Sequence, residues 1–151
     1  MTTTLEKKGT IEITTTLTPG TNRQILATAR GHQILLDVRK ERGGDDSAPT
    51  PPEYMAMALG GCVMNLARII AAEHGIDISN LKMTVSGGID PSRFMGARKE
   101  TRAGFSYLTV HLDLQAALSD QEKETFYTEL QERCPLCDTI ANPTPLDITL
   151  V

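Results

Sequence analysis

One long apolar segment, PPEYMAMALGGCVMNLARIIAAE, constrains the fold of this chain more than any other feature of its sequence. Its larger apolar side chains recur at helical spacing, which predicts a helix over residues 51–73. Thr50 can serve as the N-cap, Pro51 suits the first helical position, and Glu53 stands where a capping box places its acid. Because the other faces carry mainly Ala, Met and Gly, we expect this helix to be buried on most sides at the centre of the fold.

Shorter elements flank the long helix on both sides. Alternating apolar residues predict strands, and a capping box formed by Ser119 and Glu122 predicts the start of a second long helix. The order of strands, helix, strands, helix and strand predicts an α+β fold, with helices over a mostly antiparallel sheet, in a single domain spanning residues 1–151. The predicted strands cover residues 11–17, 24–28, 33–38, 81–89, 105–114 and 146–151, and the further helices cover residues 119–133 and 134–141.

Composition and charge exclude several classes of function. Of the 151 residues, 40% are hydrophobic and 23% are charged, which is typical of a soluble globular protein. The formal net charge is -4 and no basic face is evident, so nucleic-acid binding has no electrostatic support. The first ten residues lack the apolar region of a secretory signal, and no uninterrupted apolar run reaches membrane-spanning length. We therefore expect a cytoplasmic protein without a membrane partner, whose cysteines are thiols at rest.

Two of the three cysteines stand in the sequence ERCPLCDTIANP. If a helix starts here, Pro135 takes its first position and Cys134 becomes its cap. A sulfur at a helix N-terminus is close to the positive end of the helix dipole, which stabilises a thiolate. This makes Cys134 a candidate redox partner.

Cys137 is open to three interpretations. A thioredoxin-like pair with Cys134 would follow a strand, whereas the predicted element before Cys134 is a helix. Zinc needs about four ligands, and the histidines, His32, His74 and His111, are scattered without ligand spacing. The third interpretation is that Cys137 is a small buried residue without a chemical role.

Cys62 lies in the middle of the long helix, where a cysteine is commonly part of the core and chemically inert. To react it would need a nearby cation, for which an arginine held by a carboxylate is suitable. Glu53 is the nearest upstream acid, but on a straight helix nine residues place it opposite Cys62. The residues alone leave Cys62 open to a core role or a catalytic one.

Two blocks of the chain resemble the OsmC/Ohr family (osmotically inducible protein C and organic hydroperoxide resistance protein). Residues 49–87 are similar to the central helix and following strand of that family, and residues 132–150 to its second motif, in which a Cys-Pro pair opens a short helix. The upstream segment GHQILLDVRKERGGDDSAPTP also resembles the OsmC-like branches. The resemblance covers about residues 20–151.

The resemblance implies an OsmC-like fold in which two chains intertwine as a homodimer around the two long helices. It also implies a thiol peroxidase of organic hydroperoxides that needs no cofactor. By this analogy Cys62 attacks the peroxide, Cys134 resolves the sulfenic acid as a disulfide, and a dithiol, lipoyl-type in the family, reduces it. Glu53 matches the glutamate that orients an arginine. Arg23 is the candidate for that arginine, with Arg30 as the alternative.

The chain departs from the family pattern at two points. The hydroperoxide-reducing branches have one more residue between the glutamate and the first cysteine than this chain has between Glu53 and Cys62. Cys137 gives Cys134 a competing partner. The alternative function is therefore a non-peroxidatic OsmC-like dimer that binds a small apolar ligand or senses redox state.

Overall fold

The computed structural model of this protein describes residues 11–114 and 116–150. The chain comprises two compact units, Met1–Tyr54 and Met55–Val151. Each unit contains an antiparallel sheet, and helices accompany the sheet of the second unit, which confirms the α+β class. The assignment of residues 1–151 to a single domain stays a prediction.

The first unit contains a three-stranded sheet in the order β1 (Thr14–Leu17), β2 (Ile25–Ala29) and β3 (His32–Leu36). Strands β2 and β3 form a hairpin whose two turn residues are Arg30 and Gly31. Both have positive φ values, 48° and 83°, as a two-residue hairpin turn requires when its twist matches that of the strands. The hairpin agrees with the predicted strands over residues 24–28 and 33–38.

A buried carboxylate shapes the loop between β3 and the long helix. Asp37 is 1% exposed and accepts hydrogen bonds from the backbone N–H of Val38 at 2.7 Å and from the N–H and hydroxyl of Ser47 at 2.9 and 2.7 Å. The two Ser47 bonds, aided by Val38 and opposed by burial, lower the pKa of Asp37 to about 2. The charged carboxylate thus ties the two ends of a ten-residue loop together.

The long helix α1 spans Pro51–His74, close to the predicted range. At its start Glu53 accepts hydrogen bonds from the N–H and hydroxyl of Thr50, at 2.8 and 2.9 Å, and the bond from the Thr50 N–H is one half of the predicted capping box. Gly75, with a φ of +68°, follows the last residue of the helix, a position and conformation that favour glycine. By length and composition α1 is able to cross a membrane, but its buried side is equally consistent with the core helix of a soluble protein. That buried side consists of Leu59, Gly60, Val63, Leu66, Ala67, Ile70 and Ala71.

The second unit pairs β4 (Lys82–Ile89) with β5 (Phe105–Asp113) and adds two helices, α2 (Asp120–Arg133) and α3 (Pro135–Ala141). Its core joins the buried side of α1 to Phe126 and Leu130 of α2 and to Cys134. Gly60 allows α1 to approach β4, because a Cβ at this position would lie 3.3 Å from Cγ2 of Val85. The capping box of Ser119 and Glu122 at the start of α2 is confirmed.

The predicted strand over residues 146–151 is wrong for the described part of that range. Residues 146–150 form no strand, and Val151 lies outside the described residues. The physical reason is that a strand is defined by pairing with a neighbour, and this segment pairs with none of the described strands of the single chain. Its apolar side chains are exposed as a result: Leu146 by 85%, Ile148 by 81% and Leu150 by 97%.

Candidate active site

All three cysteines of the chain meet in the second unit. The Sγ atom of Cys134 lies 3.5 Å from the Sγ atom of Cys62, although 72 positions separate the two residues. The backbone N–H of Cys137 in turn points to the Cys134 sulfur, at 3.5 Å. The structure therefore brings together the two cysteines that the sequence analysis singled out, with the third cysteine beside them.

Cys134 owes its position to the junction between two helices. It is both the C-cap of α2 and the N-cap of α3, and Pro135 follows in the first turn of α3. The predicted capping role of Cys134 is confirmed, since its side chain accepts the hydrogen bond of the Cys137 N–H. The side chain is 0% exposed, whereas Cys62 and Cys137 are half-buried. Cys134 is thus the central and best shielded sulfur of the cluster.

The electrostatics of the second unit favour Cys134 over the other two cysteines as the thiol that ionises first. Burial opposes ionisation of Cys134, but hydrogen bonds from Cys137, Cys62 and the Leu136 amide outweigh burial and lower its pKa. Burial, together with the neighbouring Cys134, raises the pKa of Cys62. Burial is the main cause, and the neighbouring Cys134 the second cause, that raises the pKa of Cys137 to about 12. The resemblance led us to expect the thiolate on Cys62, so an additional positive charge is needed to move it there.

Arg133 is next to Cys134 in sequence, but its guanidinium is paired with two glutamates. Its guanidinium binds Glu73 at 2.6 and 2.9 Å and Glu129 at 2.7 Å, and these hydrogen bonds raise its pKa. Among the described residues, no Lys or Arg contributes to the pKa shift of Cys62. The second unit therefore does not supply the cation that the chemistry of Cys62 calls for.

The first unit contains an arginine–glutamate pair of the kind that the resemblance implies. Arg39 donates a hydrogen bond from Nη2 to Oε1 of Glu53. Hydrogen bonds from the Thr50 backbone and from Arg39 lower the pKa of Glu53 to about 2, so the carboxylate is charged at neutral pH. Glu53 holds an arginine, as expected, while it also caps α1.

The sequence analysis missed Arg39 and named Arg23 and Arg30 instead. The guanidinium of Arg23 lies over Gly43, with its Nε 3.5 Å from the position of a Cβ there, and Arg30 forms the β2–β3 turn. No periodic pattern distinguishes Arg39 from the other charged residues of its loop. The signal for Arg39 combines two features. Arg39 has an extended backbone shortly after the buried Asp37, and the next helix carries the Glu53 carboxylate in its first turn.

A cavity of about 730 Å³ lies in the second unit between β5, α2 and α3. Its wall is largely apolar, and Cys137 forms part of that wall, whereas Cys62 and Cys134 do not. The remaining lining residues are Val63, Leu108, Thr109, Val110, Leu112, Asp113, Leu114, Lys123, Phe126, Tyr127, Leu130 and Gln131. We call this cavity the β5–α2 groove.

Metal binding by the cysteines was one of the interpretations of the sequence. Within residues 11–114 and 116–150, no group of three or more His, Cys, Asp and Glu side chains is arranged to hold a metal ion. The three histidines contribute no ligand to the cysteine cluster in this part of the chain. The zinc interpretation therefore lacks a ligand set among the described residues.

Comparisons with known proteins agree with this picture of the fold. An OsmC-like protein from Mycoplasma pneumoniae is 23% identical, with a TM-score of 0.74 over 91% of this chain and 89% of that one. The organic hydroperoxide resistance protein OsmC from Legionella pneumophila, also described as a predicted redox protein, is 23% identical, with a TM-score of 0.61 over 89% and 91% of the two chains. An organic hydroperoxide resistance protein from Elizabethkingia anophelis, with thiocyanate bound, is 19% identical, with a TM-score of 0.60 over 89% of each chain.

These solved structures establish the OsmC-like fold of the chain, with its antiparallel sheets and long helix. No curated protein matches the sequence. The family model described as OsmC-like protein matches residues 44–149, which include α1 and all three cysteines. On that match, the chain belongs to the OsmC-like family.

Proposed function

We propose that this protein is a thiol-dependent peroxidase that reduces organic hydroperoxides with Cys62 and Cys134. The observation that carries the proposal is the 3.5 Å separation of the two sulfurs. Such a separation lets a sulfenic acid on one sulfur be captured by the other with little movement. The names of the hydroperoxide resistance proteins that share the fold support the same substrate class.

The difference in exposure between the two cysteines supports the role proposed for each. Cys134 is completely buried, so a peroxide cannot reach its sulfur, whereas Cys62 is half-buried. The Cys62 thiolate attacks the terminal oxygen of the peroxide, and the O–O bond breaks. The alkoxide takes up a proton and leaves as an alcohol, while Cys62 becomes a sulfenic acid. The Cys134 thiolate then attacks the Cys62 sulfur, water leaves, and a disulfide forms. A dithiol, of lipoyl type in this proposal, then restores both thiols by disulfide exchange.

The cation that ionises Cys62 is, in this proposal, an arginine of the same chain or of a second copy. Glu53 orients it. Arg39 is the arginine that Glu53 holds in the structure, and Arg23 remains the candidate from the resemblance. Replacing each arginine by alanine separates the two candidates. Loss of the catalytic arginine lowers the second-order rate constant of Cys62 with peroxide and raises the apparent pKa of Cys62. The other variant keeps both values.

We further propose that the protein is a homodimer in the cytoplasm, with the exposed side of α1 packed against a second copy. That side carries Met55, Ala58, Gly61 and Ile69 around Cys62, and small apolar residues suit close helix packing. Residues 146–150 alternate between apolar and polar side chains, so they have the pattern of a strand that pairs with the partner chain. This association covers the apolar surface that a single chain leaves open.

The substrate preference follows from the apolar residues around Cys62 on α1. Helix α1 carries Met55, Met57, Leu59 and Met64 within seven positions of Cys62, and methionine side chains are flexible and apolar. We therefore expect faster reaction with bulky organic peroxides than with hydrogen peroxide. Equal rate constants for cumene hydroperoxide and hydrogen peroxide would count against an apolar approach to Cys62.

The experiment that tests the proposed function is a thiol count of the reduced protein after one equivalent of cumene hydroperoxide. The reaction is quenched with acid at early times, and the disulfide is mapped by peptide analysis. Loss of two thiols as a Cys62–Cys134 bridge is expected, with no loss in Cys62→Ser and normal loss in Cys137→Ser. No loss in the wild type would remove the peroxidase proposal and favour the binding of a small apolar ligand or redox sensing.

A further inference from the structure

The cysteine cluster contains one thiol more than the proposed peroxidase cycle uses. Cys134 lies between two half-buried cysteines that belong to different surroundings. Cys62 is on the side of α1 that carries exposed apolar residues, whereas Cys137 is part of the wall of the β5–α2 groove. The buried sulfur of Cys134 thus has two half-buried sulfurs as neighbours, of which only that of Cys137 lines the groove.

The local geometry of α3 is suitable for a second disulfide. Cys134 is the N-cap of α3 and Cys137 is three residues later, with its N–H directed at the Cys134 sulfur at 3.5 Å. Residues three apart on a helix have Cβ atoms about 5–6 Å apart, and a change of cap rotamer and a small backbone shift bring such a pair into disulfide range. Cys134 can therefore bond to Cys62 or to Cys137, but not to both.

We propose that Cys137 takes over the disulfide from Cys62, so that the oxidising equivalent moves from the α1 face to the β5–α2 groove. The proposal rests on the proposed peroxidase function for its oxidant. In the exchange, the Cys137 thiolate attacks the Cys134 sulfur and the new Cys134–Cys137 bond forms. The Cys62–Cys134 bond breaks, and Cys62 leaves as a thiolate that takes up the proton released by Cys137. The step moves a bond and consumes no oxidant or reductant.

Oxidation of Cys134 removes an obstacle to this step. In the reduced cluster the neighbouring Cys134 contributes to the raised pKa of Cys137, second only to burial. Once Cys134 is part of a disulfide with Cys62, neither sulfur carries a charge, so this contribution disappears and the Cys137 thiolate becomes more accessible. The attacking thiol is thus activated by the formation of the bond that it attacks.

The same arrangement favours reduction through the groove. A dithiol in the β5–α2 groove meets the Cys137 sulfur, because Cys137 forms part of the groove wall. Attack there expels Cys134, whose pKa is lowered by its hydrogen bonds despite burial, and a thiol of low pKa is the better leaving group. Peroxide and reductant then approach different sulfurs, and a second copy that covers the α1 face does not block the reductant.

The test is the amount of peroxide consumed without any reductant. Wild-type protein is expected to consume two equivalents of cumene hydroperoxide per chain. The first equivalent yields the Cys134–Cys137 bridge after passing through Cys62–Cys134, and the second converts the freed Cys62 to a sulfenic acid. Dimedone added with the second equivalent labels that residue. Peptide maps at successive times show the bridge moving from Cys62 to Cys137.

Two variants sharpen the result. Cys137→Ser is expected to consume one equivalent, to stop at the Cys62–Cys134 bridge and to give no dimedone adduct. Thr139→Ala, an exposed change on the same helix, keeps the two equivalents of the wild type. If Cys137→Ser fails to fold, Cys137→Ala and the time course of the wild type serve in its place.

The outcomes separate the two proposals. Consumption of one equivalent by the wild type, with a persistent Cys62–Cys134 bridge, overturns the exchange and leaves the peroxidase function standing. If the wild type consumes no peroxide and forms no bridge, the peroxidase function fails and the exchange fails with it.

Discussion

Two adjacent isoleucines on α1 offer a matched test of the proposed homodimer. Ile70 is 0% exposed in the core of the second unit, whereas Ile69, about 100° round the helix from it, is 44% exposed. The substitutions Ile69→Ala and Ile70→Ala remove the same three carbons from neighbouring positions. Differences between their effects therefore report on surroundings and not on the chemistry of the side chain.

The expected loss at Ile70 is one of folding stability. Burying three aliphatic carbons is worth about 2.4 kcal/mol, and the cavity left by truncation raises the cost to about 2–5 kcal/mol. Ile69 is half-exposed in the single chain and open to solvent, so its truncation costs about 1 kcal/mol of folding stability without a cavity penalty. Ile70→Val, which removes one carbon, is expected to cost about 0.5–1.5 kcal/mol.

The expected loss at Ile69 is mainly one of association. If a second copy covers the exposed part of Ile69, its burial adds about 1 kcal/mol per chain. A two-fold axis uses that residue twice, so Ile69→Ala weakens the dimer by about 2 kcal/mol, or roughly thirtyfold in Kd. Ile70→Ala leaves the Kd close to its wild-type value, since Ile70 does not reach the exposed side of α1.

Analytical ultracentrifugation over a range of chain concentrations measures the Kd. Urea unfolding under reducing conditions, at a chain concentration well below that Kd, measures the folding stability of the single chain without the contribution of association. An unchanged Kd for Ile69→Ala would refute the assignment of the α1 face to the interface. Equal unfolding free energies for the two alanine variants would refute the burial argument itself.

Three further predictions concern the cysteines, acid stability and the helix α2. In Cys134→Ser, one rapid reduction of cumene hydroperoxide per site is expected. Mass spectrometry should then show Cys62 first as a dimedone-reactive sulfenic acid and later in over-oxidised form. Normal recycling of this variant would mean that Cys137 or an external thiol performs the resolving step. The pKa of Glu53 is lowered from 4.5 to about 2 by Thr50 and Arg39, so its ionised form stabilises the native protein above pH 4.5. That stability is lost as the pH falls from 4.5 towards 2, and urea unfolding of Glu53→Gln should show a weaker dependence on pH over this window. Ser119→Ala removes the cap of α2 and should lower the unfolding free energy by about 1 kcal/mol, whereas an unchanged midpoint would contradict the capping box as a stabilising contact.

The sequence predicted most elements of the fold because their signals are local. The extent of α1 follows from Thr50 and Pro51 at one end and Gly75 at the other, and the structure places the helix at Pro51–His74. The start of α2 follows from Ser119 in the same way. Such signals depend on residues a few positions apart, so a single chain shows them without knowledge of the tertiary structure.

The elements that were not predicted correctly depend on distant partners. The segment 146–150 has the alternation of a strand, but whether it pairs is decided by an edge far away in sequence or on another chain. Arg39 likewise meets Glu53 across a loop that is closed by the buried Asp37. Neither the loop closure nor the pairing leaves a periodic trace in the sequence.

The candidate site was partly predictable for the same reason. The capping position of Cys134 follows from Pro135, which is a local signal. The approach of Cys62 to Cys134 bridges 72 positions, and the residues alone left Cys62 open to a core role. Recognition of the family motifs suggested the pairing, and the structure supplies the distance between the sulfurs.

The complete burial of Cys134 has a consequence for how this protein interacts with the thiol pool around it. Monothiols such as glutathione need a reachable sulfur for mixed-disulfide formation, and Cys134 presents no surface to them. Only the two half-buried cysteines beside it can exchange bonds with Cys134. We therefore expect disulfide exchange at the sulfur of the helix junction to proceed through Cys62 or Cys137, and not by direct attack of a monothiol.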